Sequence, residues 1–296
     1  MKKFLLDILE RVELFKRRFV NPEKYIPQMF KVRMGKMPNL DNPQTYNEKL
    51  CWMKLYYHNP LFTKLVDKYE VKDYVAEKIG QQYIIPTIGV WSKVEDIEWD
   101  KLPGQFVLKC THDSGGLVIC KDKSKLDVAK AKQKLNRSLK KNYYYDGFEW
   151  PYKDVTPRII AETYMEDTKT KELRDYKFFC FDGEVKALFI ATERQKVGED
   201  VKFDFFDADF HHLPFRQGHE NAAVLPEKPL CFEEMKRLAA VLSEGLPHAR
   251  IDFYEVDGKI YFGEITFFHH GGWTRFDPEE WDNTFGSWIK LPERMI

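Results

Sequence analysis

The last third of the sequence contains an alternating pattern that predicts an antiparallel hairpin with charged side chains gathered on one face. Residues 249–256 and 259–266 alternate apolar and polar side chains on either side of Asp257-Gly258, a dipeptide typical of tight hairpin turns. Successive strand residues point to opposite faces, and Asp252 and Glu264 belong to the polar set of their strands. Two carboxylates on one face suit Mg²⁺, which prefers oxygen ligands. Cross-strand ion pairs on a solvated sheet are the alternative interpretation.

The register of this hairpin decides whether the two carboxylates can share a metal ion. With a two-residue turn and regular pairing, Asp252 would face Gly263, and Glu264 would lie on the opposite face. A three-residue loop, which pairs Arg250 with Glu264, or a one-residue bulge places both carboxylates on the same face. That face also carries Arg250 and Thr266. We therefore expect such a loop or bulge in the folded protein.

The rest of the chain mixes helical and strand periods without a regular βαβ order. A capping box from Thr45 to Glu48 predicts a helix at 45–57, and Gly80 ends another predicted helix at 67–79. The other predicted elements are helices at 3–19, 127–141 and 232–244, and strands at 106–110, 117–120, 158–163, 173–181, 184–191 and 201–206. This order predicts an α+β fold with mostly antiparallel sheets.

Composition and charge limit the classes of protein that fit this chain. The 296 residues carry 47 Lys and Arg against 47 Asp and Glu, which argues against bulk binding of nucleic acid. No apolar run reaches the length of a transmembrane helix. Five singly spaced cysteines favour reduced thiols, as in the cytoplasm.

Two charged segments each allow two interpretations. The helix at 3–19 either packs on its own domain or rests as an amphipathic helix on the inner face of the membrane. The stretch 121–141 has nine Lys or Arg against two Asp, a net charge of +7. It is either a solvated helix face or a surface that attracts a polyanionic substrate.

A second group of residues has the chemistry of a phosphate and nucleotide site. Lys109 ends a predicted strand, and Ser114-Gly115-Gly116 follow in a loop whose N–H groups can cradle phosphate oxygens. Lys177 shares a strand face with Asp175. The segment Glu162-Thr163-Tyr164-Met165 leaves another strand where backbone groups can meet an adenine edge. The structural alternatives are a plain hairpin turn, an edge-strand charge and an ordinary strand end.

Taken in order, these segments resemble the TupA-like ATP-grasp family, which is associated with teichuronopeptide and other bacterial surface-polysaccharide synthesis. The resemblance covers roughly residues 25–292 and includes Asn42-Pro43-Gln44-Thr45-Tyr46-Asn47-Glu48 and Phe276-Asp277-Pro278. It implies two α+β lobes that grip ATP between them. The small lobe would span 67–164, the large lobe 165–296, and a helical N-terminal region 1–66.

The resemblance also implies roles for individual residues. Lys109 and Lys177 would bind the nucleotide phosphates, and Arg250 would stabilise an acyl phosphate, so Arg250 and Lys177 form the catalytic set. The nucleotide set is Lys109, Ser114, Gly115, Gly116, Glu162, Thr163, Tyr164, Met165, Asp175 and Lys177. The Mg²⁺ set is Asp252, Glu264 and Thr266. ATP-grasp enzymes commonly have Asn two residues after the metal-binding glutamate, and here that position holds Thr266, a weaker neutral ligand.

The resemblance implies an ATP- and Mg²⁺-dependent ligase that joins a carboxylate to an amine. The expected substrates are ATP, a sugar carboxylate such as a uronic acid, and an amino acid or other amine. A glycosyltransferase of the same kind of pathway is the alternative, with Asp207-Ala208-Asp209 as the nearest approach to its metal-binding triplet. A third possibility is a non-catalytic nucleotide-binding protein.

Overall fold

The computed structural model describes residues 16–168, 173–193 and 200–295, so the predicted helix at 3–19 lies almost wholly outside the described residues. The helices are α1 (Pro22–Met34), α2 (Tyr46–Tyr56), α3 (Leu61–Val66), α4 (Val71–Lys78), α5 (Val128–Leu139), α6 (Tyr144–Gly147), α7 (Phe232–Ser243) and α8 (Glu280–Trp288). The strands are β1 (Thr87–Trp91), β2 (Phe106–Cys110), β3 (Leu117–Cys120), β4 (Ile159–Thr163), β5 (Asp175–Phe181), β6 (Glu184–Thr192), β7 (Lys202–Asp207), β8 (His212–Leu213), β9 (Arg216–Gln217), β10 (Ala249–Val256), β11 (Lys259–Thr266) and β12 (Phe276–Asp277).

Most of the predicted elements are confirmed with small differences at their ends. The six predicted strands upstream of the hairpin and the helices at 45–57, 127–141 and 232–244 are all present. The helix predicted at 67–79 is wrong in its first turn, because α3 ends before Asp67 and α4 begins at Val71. The Asp67 carboxylate accepts the N–H of Tyr69 at 2.8 Å and pairs with Arg158 at 3.1 Å. These contacts hold a turn between the two helices.

The smaller sheet has the strand order β1-β4-β2-β3, and all neighbouring strands are antiparallel. Helix α5 covers one face, where Leu135 packs with Phe106 and Leu108 in a separate apolar cluster. Strand β1 was not predicted. Its residues are all exposed or half-buried, so the sequence lacks the alternation that marks a half-buried strand.

The larger sheet has the order β11-β10-β5-β6-β7-β8 and is also antiparallel. Helix α7 packs against one face through fully buried Met235 and Leu238. On the other face Phe179 contacts Phe285 of α8 and Tyr46 of α2, with ring centroids 5.2 and 6.3 Å apart. Two antiparallel sheets with helices packed on them confirm the α+β fold class.

The capping box predicted for α2 is present in full, since Thr45 and Glu48 each bond the other's backbone N–H. Helix α2 is fixed to α8 because the Asp282 carboxylate accepts both the backbone and side-chain N–H of Asn47, at 3.0 and 2.9 Å. The boundaries at residues 66 and 164 stay a prediction. Within the described part of the chain, no helix is long and apolar enough to cross a membrane.

Candidate functional site

An apolar pocket of about 300 Å³ lies where the smaller sheet meets β6 and β10. Val107, Leu117 and Ile119 line it from the smaller sheet, and Tyr254 lines it from β10. The predicted segment Glu162, Thr163, Tyr164 and Met165 also borders this pocket. A pocket with mostly apolar walls and a few polar groups fits a planar ring such as a nucleobase.

Glu162 lies between two lysines where this pocket meets a larger cavity. Its carboxylate oxygens are 2.6 Å from the Nζ of Lys109 and 2.5 Å from the Nζ of Lys72. Burial opposes the negative charge of Glu162, but the two lysines outweigh it and lower its pKa below the ordinary value. Two cations around one buried carboxylate leave a net positive charge, which favours an anionic ligand.

The loop between β2 and β3 is held by one carboxylate. Asp113 accepts the N–H of Gly116 at 3.3 Å and a hydrogen bond from the hydroxyl of Ser138 in α5. A Cβ on Gly116 would lie 2.3 Å from the Ser138 hydroxyl oxygen, so a larger residue would clash. This anchoring leaves Ser114 and Gly115 on the wall of the larger cavity.

The turn of the C-terminal hairpin differs from the three-residue loop proposed for it. Asp257 and Gly258 form a two-residue turn with φ of +51° and +72°, and Val256 pairs with Lys259 across it. Both turn residues have a left-handed backbone conformation, as in the type I′ turns whose twist matches that of paired strands. The loop version of the prediction is therefore wrong.

A one-residue bulge supplies the register shift instead, so this version of the prediction is confirmed. Gly263 has no partner on β10, and Asp252 pairs directly with Glu264. A Cβ on Gly263 would lie 3.0 Å from the carbonyl oxygen of Asp252, which is tighter than ordinary contact. The bulge keeps Asp252 and Glu264 on the same face of the sheet.

Arg250 connects the polar groups of this face. Its Nε and Nη2 donate to the two carboxylate oxygens of Asp252 at 2.7 and 2.8 Å. Nη2 also lies 2.8 Å from Glu264 and 3.1 Å from the hydroxyl of Thr266. Nη1 lies 2.9 Å from Nδ1 of His269. Because arginine only donates, this His269 nitrogen must accept, and burial keeps the pKa of the ring well below its usual range.

Lys177 adds a second cation to the same face. Its Nζ forms a short hydrogen bond to Asp252 and lies 3.4 Å from Asp175. Burial opposes ionisation of Glu264, but Lys177, Arg250 and Lys68 outweigh it and lower its pKa to about 2. The face therefore holds an ionised carboxylate beside two fixed cations.

A cavity of about 560 Å³ brings most of the predicted site residues together. The predicted residues that line it are Lys109, Ser114, Gly115, Gly116, Glu162, Asp175, Lys177, Arg250, Glu264 and Thr266. Thr163, Tyr164 and Met165 line the adjoining apolar pocket. Asp252 lines neither, because it is fully buried beneath Arg250 and Lys177.

Sequence reasoning missed several residues of the larger cavity. Lys68 donates to the carbonyl oxygen of Asp113 at 2.6 Å, and Lys72 reaches Glu162 from the first turn of α4. Glu149 and Trp273 also line this cavity. The sequence assigned them no role, because α4, the 142–152 segment and the 267–273 segment converge only in the folded chain. The available signals were Asp67-Lys68, which belongs to the family resemblance, and the spacing of four residues between Lys68 and Lys72.

The matched family model is described as TupA-like ATP-grasp and covers residues 48–290. The site thus belongs to an ATP-grasp protein, and the chain is a member of the TupA-like ATP-grasp family. The resemblance read from the sequence is confirmed. Among curated proteins, a search found no match to this chain.

Solved structures of ATP-grasp ligases are similar to this chain only distantly. The D-alanine–D-alanine ligase of Bacillus anthracis with ATP shares 16% identity over 69% of this chain and 54% of its own, with a TM-score of 0.39. The D-alanine–D-alanine ligase of Helicobacter pylori shares 15% identity over 76% of this chain and 61% of its own, with a TM-score of 0.42. The ADP complex of purK, the N5-carboxyaminoimidazole ribonucleotide synthetase, shares 13% identity over 74% of this chain and 50% of its own, with a TM-score of 0.44. The chain therefore spans little more than half the length of these proteins.

Proposed function

We propose that this protein is an ATP-dependent ligase that joins a carboxylate to an amine through an acyl phosphate. The observation that carries the proposal is the junction of the two cavities. An apolar pocket opens beside Lys109 onto a larger cavity whose walls hold Lys177 and Arg250. One end suits a nucleobase and the other suits phosphate and carboxylate groups. Membership of the ATP-grasp family supports the same activity.

The nucleotide would lie across this junction. Its adenine would occupy the apolar pocket beside residues 162–165, and its phosphates would extend past Lys109 towards Lys177. Ser114 and Gly115 would offer backbone N–H groups to the phosphate oxygens, since the N–H of Gly116 already donates to Asp113. Asp175, 3.4 Å from Lys177, would hold that lysine in position.

The donors on the hairpin face are oxygens of the kind that Mg²⁺ prefers, and Arg250 and Lys177 would have to release Asp252 for it to bind the ion. Within the described ranges no three His, Cys, Asp or Glu side chains form a metal-binding group. The donor set is instead two paired carboxylates, Asp252 and Glu264, with the hydroxyl of Thr266 3.4 Å from Glu264. Such a set leaves positions for water and phosphate oxygens, which Mg²⁺ usually keeps. The ion would neutralise charge on the nucleotide phosphates.

The reaction needs no nucleophile from the protein. An oxygen of the substrate carboxylate attacks the γ-phosphorus of ATP, ADP leaves, and an acyl phosphate forms. The nitrogen of the amine then attacks the acyl carbon, phosphate leaves, and the nitrogen loses a proton to give the amide. Lys177 and Arg250 would stabilise the charge on the transferred phosphoryl group, and positioning would supply the rest. Gly271 borders the same cavity, but its N–H donates to the carbonyl oxygen of Phe268 at 2.8 Å, so we assign it no contact with the acyl phosphate.

The proposal extends to the substrates and the cellular setting. Family membership favours a uronic-acid-type carboxylate and an amino acid or other amine, used in bacterial surface-polysaccharide synthesis in the cytoplasm. The small lobe (67–164) would carry the phosphate loop, the large lobe (165–296) the metal face, and residues 1–66 the helical N-terminal region. No substrate role for nucleic acid is proposed.

The geometry gives the glycosyltransferase alternative no support. The Asp207 carboxylate accepts the N–H groups of Asp209 and His211 at 2.9 and 2.8 Å. Asp207 therefore holds a tight turn after β7. Neither aspartate lines the two cavities described above.

Ligand-dependent melting tests the nucleotide site first. A ligand at a hundred times its Kd stabilises the folded state by about 2.7 kcal/mol. For a chain of this size we expect MgATP to raise the melting temperature by about 5 °C. UDP-sugars should leave it unchanged. A rise with UDP-glucose but none with MgATP would refute the ligase proposal.

Lys109→Ala tests the assignment at the level of one residue. A charge-assisted contact is worth about 1.5–3 kcal/mol, so the affinity for ATP in calorimetry should fall at least tenfold. Lys93→Ala is the matched control, because Lys93 is exposed and lines neither cavity. Equal ATP affinities for the two variants would remove Lys109 from the site. Release of ADP that requires both a uronic acid and an amine would then establish the full reaction.

A further inference from the structure

Glu149 is a buried acidic residue on the wall of the larger cavity that the proposed chemistry leaves unused. It is only 8% exposed, and it borders the larger cavity but not the apolar pocket. Among the residues that the structure describes, none gives its carboxylate a hydrogen bond or an ion pair. A carboxylate that is mostly buried, and that meets only the solvent of a cavity, loses part of its hydration without gaining a protein partner. Such a group is suited to pair with a ligand.

The backbone before Glu149 adopts an unusual conformation. Phe148 has φ of +52° and ψ of +37°, a left-handed conformation that bulky residues rarely adopt. Its ring is 2% exposed and packs against Tyr25 and Tyr144, with centroids 4.8 and 5.2 Å apart. This packing fixes the turn that brings Glu149 to the cavity wall. Strained residues held by their surroundings often accompany functional sites.

The buried cation Lys54 has other partners than Glu149. The Nζ of Lys54 donates to the carbonyl oxygen of Gly147 at 2.9 Å and lies 3.8 Å from the centre of the Trp273 ring. It forms no ion pair with Glu149. Burial raises the pKa of Glu149 to about 7, and Asp146 adds to the rise, while Lys54 opposes it.

The carboxylates around this cavity differ in whether a cation already holds them. On the hairpin face Lys177 and Arg250 pair with Asp252 and Glu264. On the 142–152 segment, which also lines the cavity, Glu149 has no such pair within the described part of the chain. An ammonium group that enters the cavity therefore meets at Glu149 a carboxylate that no described side-chain cation holds.

We propose that Glu149 binds the ammonium group of the amine substrate, so that this substrate enters the cavity against the 142–152 segment. The inference rests on the proposed ligase function, and it names the end of the cavity that each substrate occupies. A primary amine meets the electrostatic requirement because its ammonium supplies both the charge and the hydrogen-bond donors that the carboxylate lacks. The acyl phosphate forms opposite, beside Arg250, within the same cavity.

Calorimetry with small amines tests the inference without knowledge of the natural substrate. The probes are L-alanine, L-lysine, D-glucosamine and spermidine, each titrated with and without a non-hydrolysable ATP analogue and Mg²⁺. The tightest of these should bind Glu149→Gln at least tenfold more weakly than wild type. Asp154→Asn, which removes an exposed carboxylate outside both cavities, should bind it as wild type does.

The titrations of wild type and Glu149→Gln either support or overturn the assignment of Glu149 to the amine. Equal amine affinity in Glu149→Gln and wild type overturns it, and so does the absence of amine binding to wild type. Unchanged binding of the ATP analogue by Glu149→Gln shows that the variant is folded and that only the amine end is altered. Loss of that binding instead would make Glu149 a structural residue and overturn the inference. Amine binding without any binding of the ATP analogue to wild type would refute the proposed function and leave the amine site standing.

Discussion

Replacing Glu149 by glutamine should change how the stability of the protein depends on pH. Burial is the main cause that raises the pKa of Glu149 from 4.5 to about 7, and Asp146 and Glu264 add to it against Lys54 and Arg250. One pKa unit corresponds to about 1.4 kcal/mol, so the ionised side chain costs the folded state about 3 kcal/mol. Glutamine keeps the shape and cannot ionise.

The sign of the effect follows from proton binding. Between pH 4.5 and 7 the folded state holds the Glu149 proton more tightly than the unfolded chain does, so stability falls as pH rises. The penalty is absent below about pH 4.5 and complete above about pH 7. Wild type should therefore lose about 3 kcal/mol relative to Glu149→Gln across this window. A buried, unpaired amide adds the same offset at every pH and leaves the slope unchanged.

Urea denaturation of both proteins at intervals from pH 4.5 to 8 measures this difference. The difference in the free energy of unfolding should grow in favour of the variant as pH rises, and level off above pH 7. Asp154→Asn should give no such trend, because its carboxylate is exposed. A difference that stays flat from pH 4.5 to 8 would refute the reasoning. It would mean that Glu149 has water or another partner in the folded protein.

The remaining predictions concern the metal face, the helix cap and the basic helix. Asp252→Asn and Glu264→Gln should lose nearly all Mg²⁺-dependent ADP release, and Asp252→Asn should also lower the free energy of unfolding because it removes one charge from buried ion pairs; wild-type turnover in either would place the metal elsewhere. Thr45→Ala removes one half of the capping box and should lower the free energy of unfolding by about 1 kcal/mol; an unchanged urea midpoint would contradict this. Reversing exposed lysines of α5 to glutamate should raise the KM of an anionic acceptor and weaken its dependence on salt, whereas wild-type kinetics at low salt would favour a solvated helix face. The lysines to change are Lys130, Lys132 and Lys134.

The register of the hairpin shows which part of the site geometry can be predicted from the sequence. Alternation of polar and apolar residues required a one-residue shift if Asp252 and Glu264 were to share a face. It did not decide between a longer loop and a bulge. The choice depends on the close approach of Gly263 to the carbonyl oxygen of Asp252, a contact between two strands that a linear pattern does not contain.

The sequence by itself determined the elements whose stability is local. The strands at 106–110 and 117–120 and the capping box at Thr45 follow from side-chain period and cap chemistry, which act within a few residues. Strand β1 depended on the tertiary structure, because its pairing with β4 compensates for a weak pattern. The same is true of Glu149. Its burial and its raised pKa arise where the 142–152 segment and the hairpin line one cavity, a meeting of distant segments that no local pattern predicts.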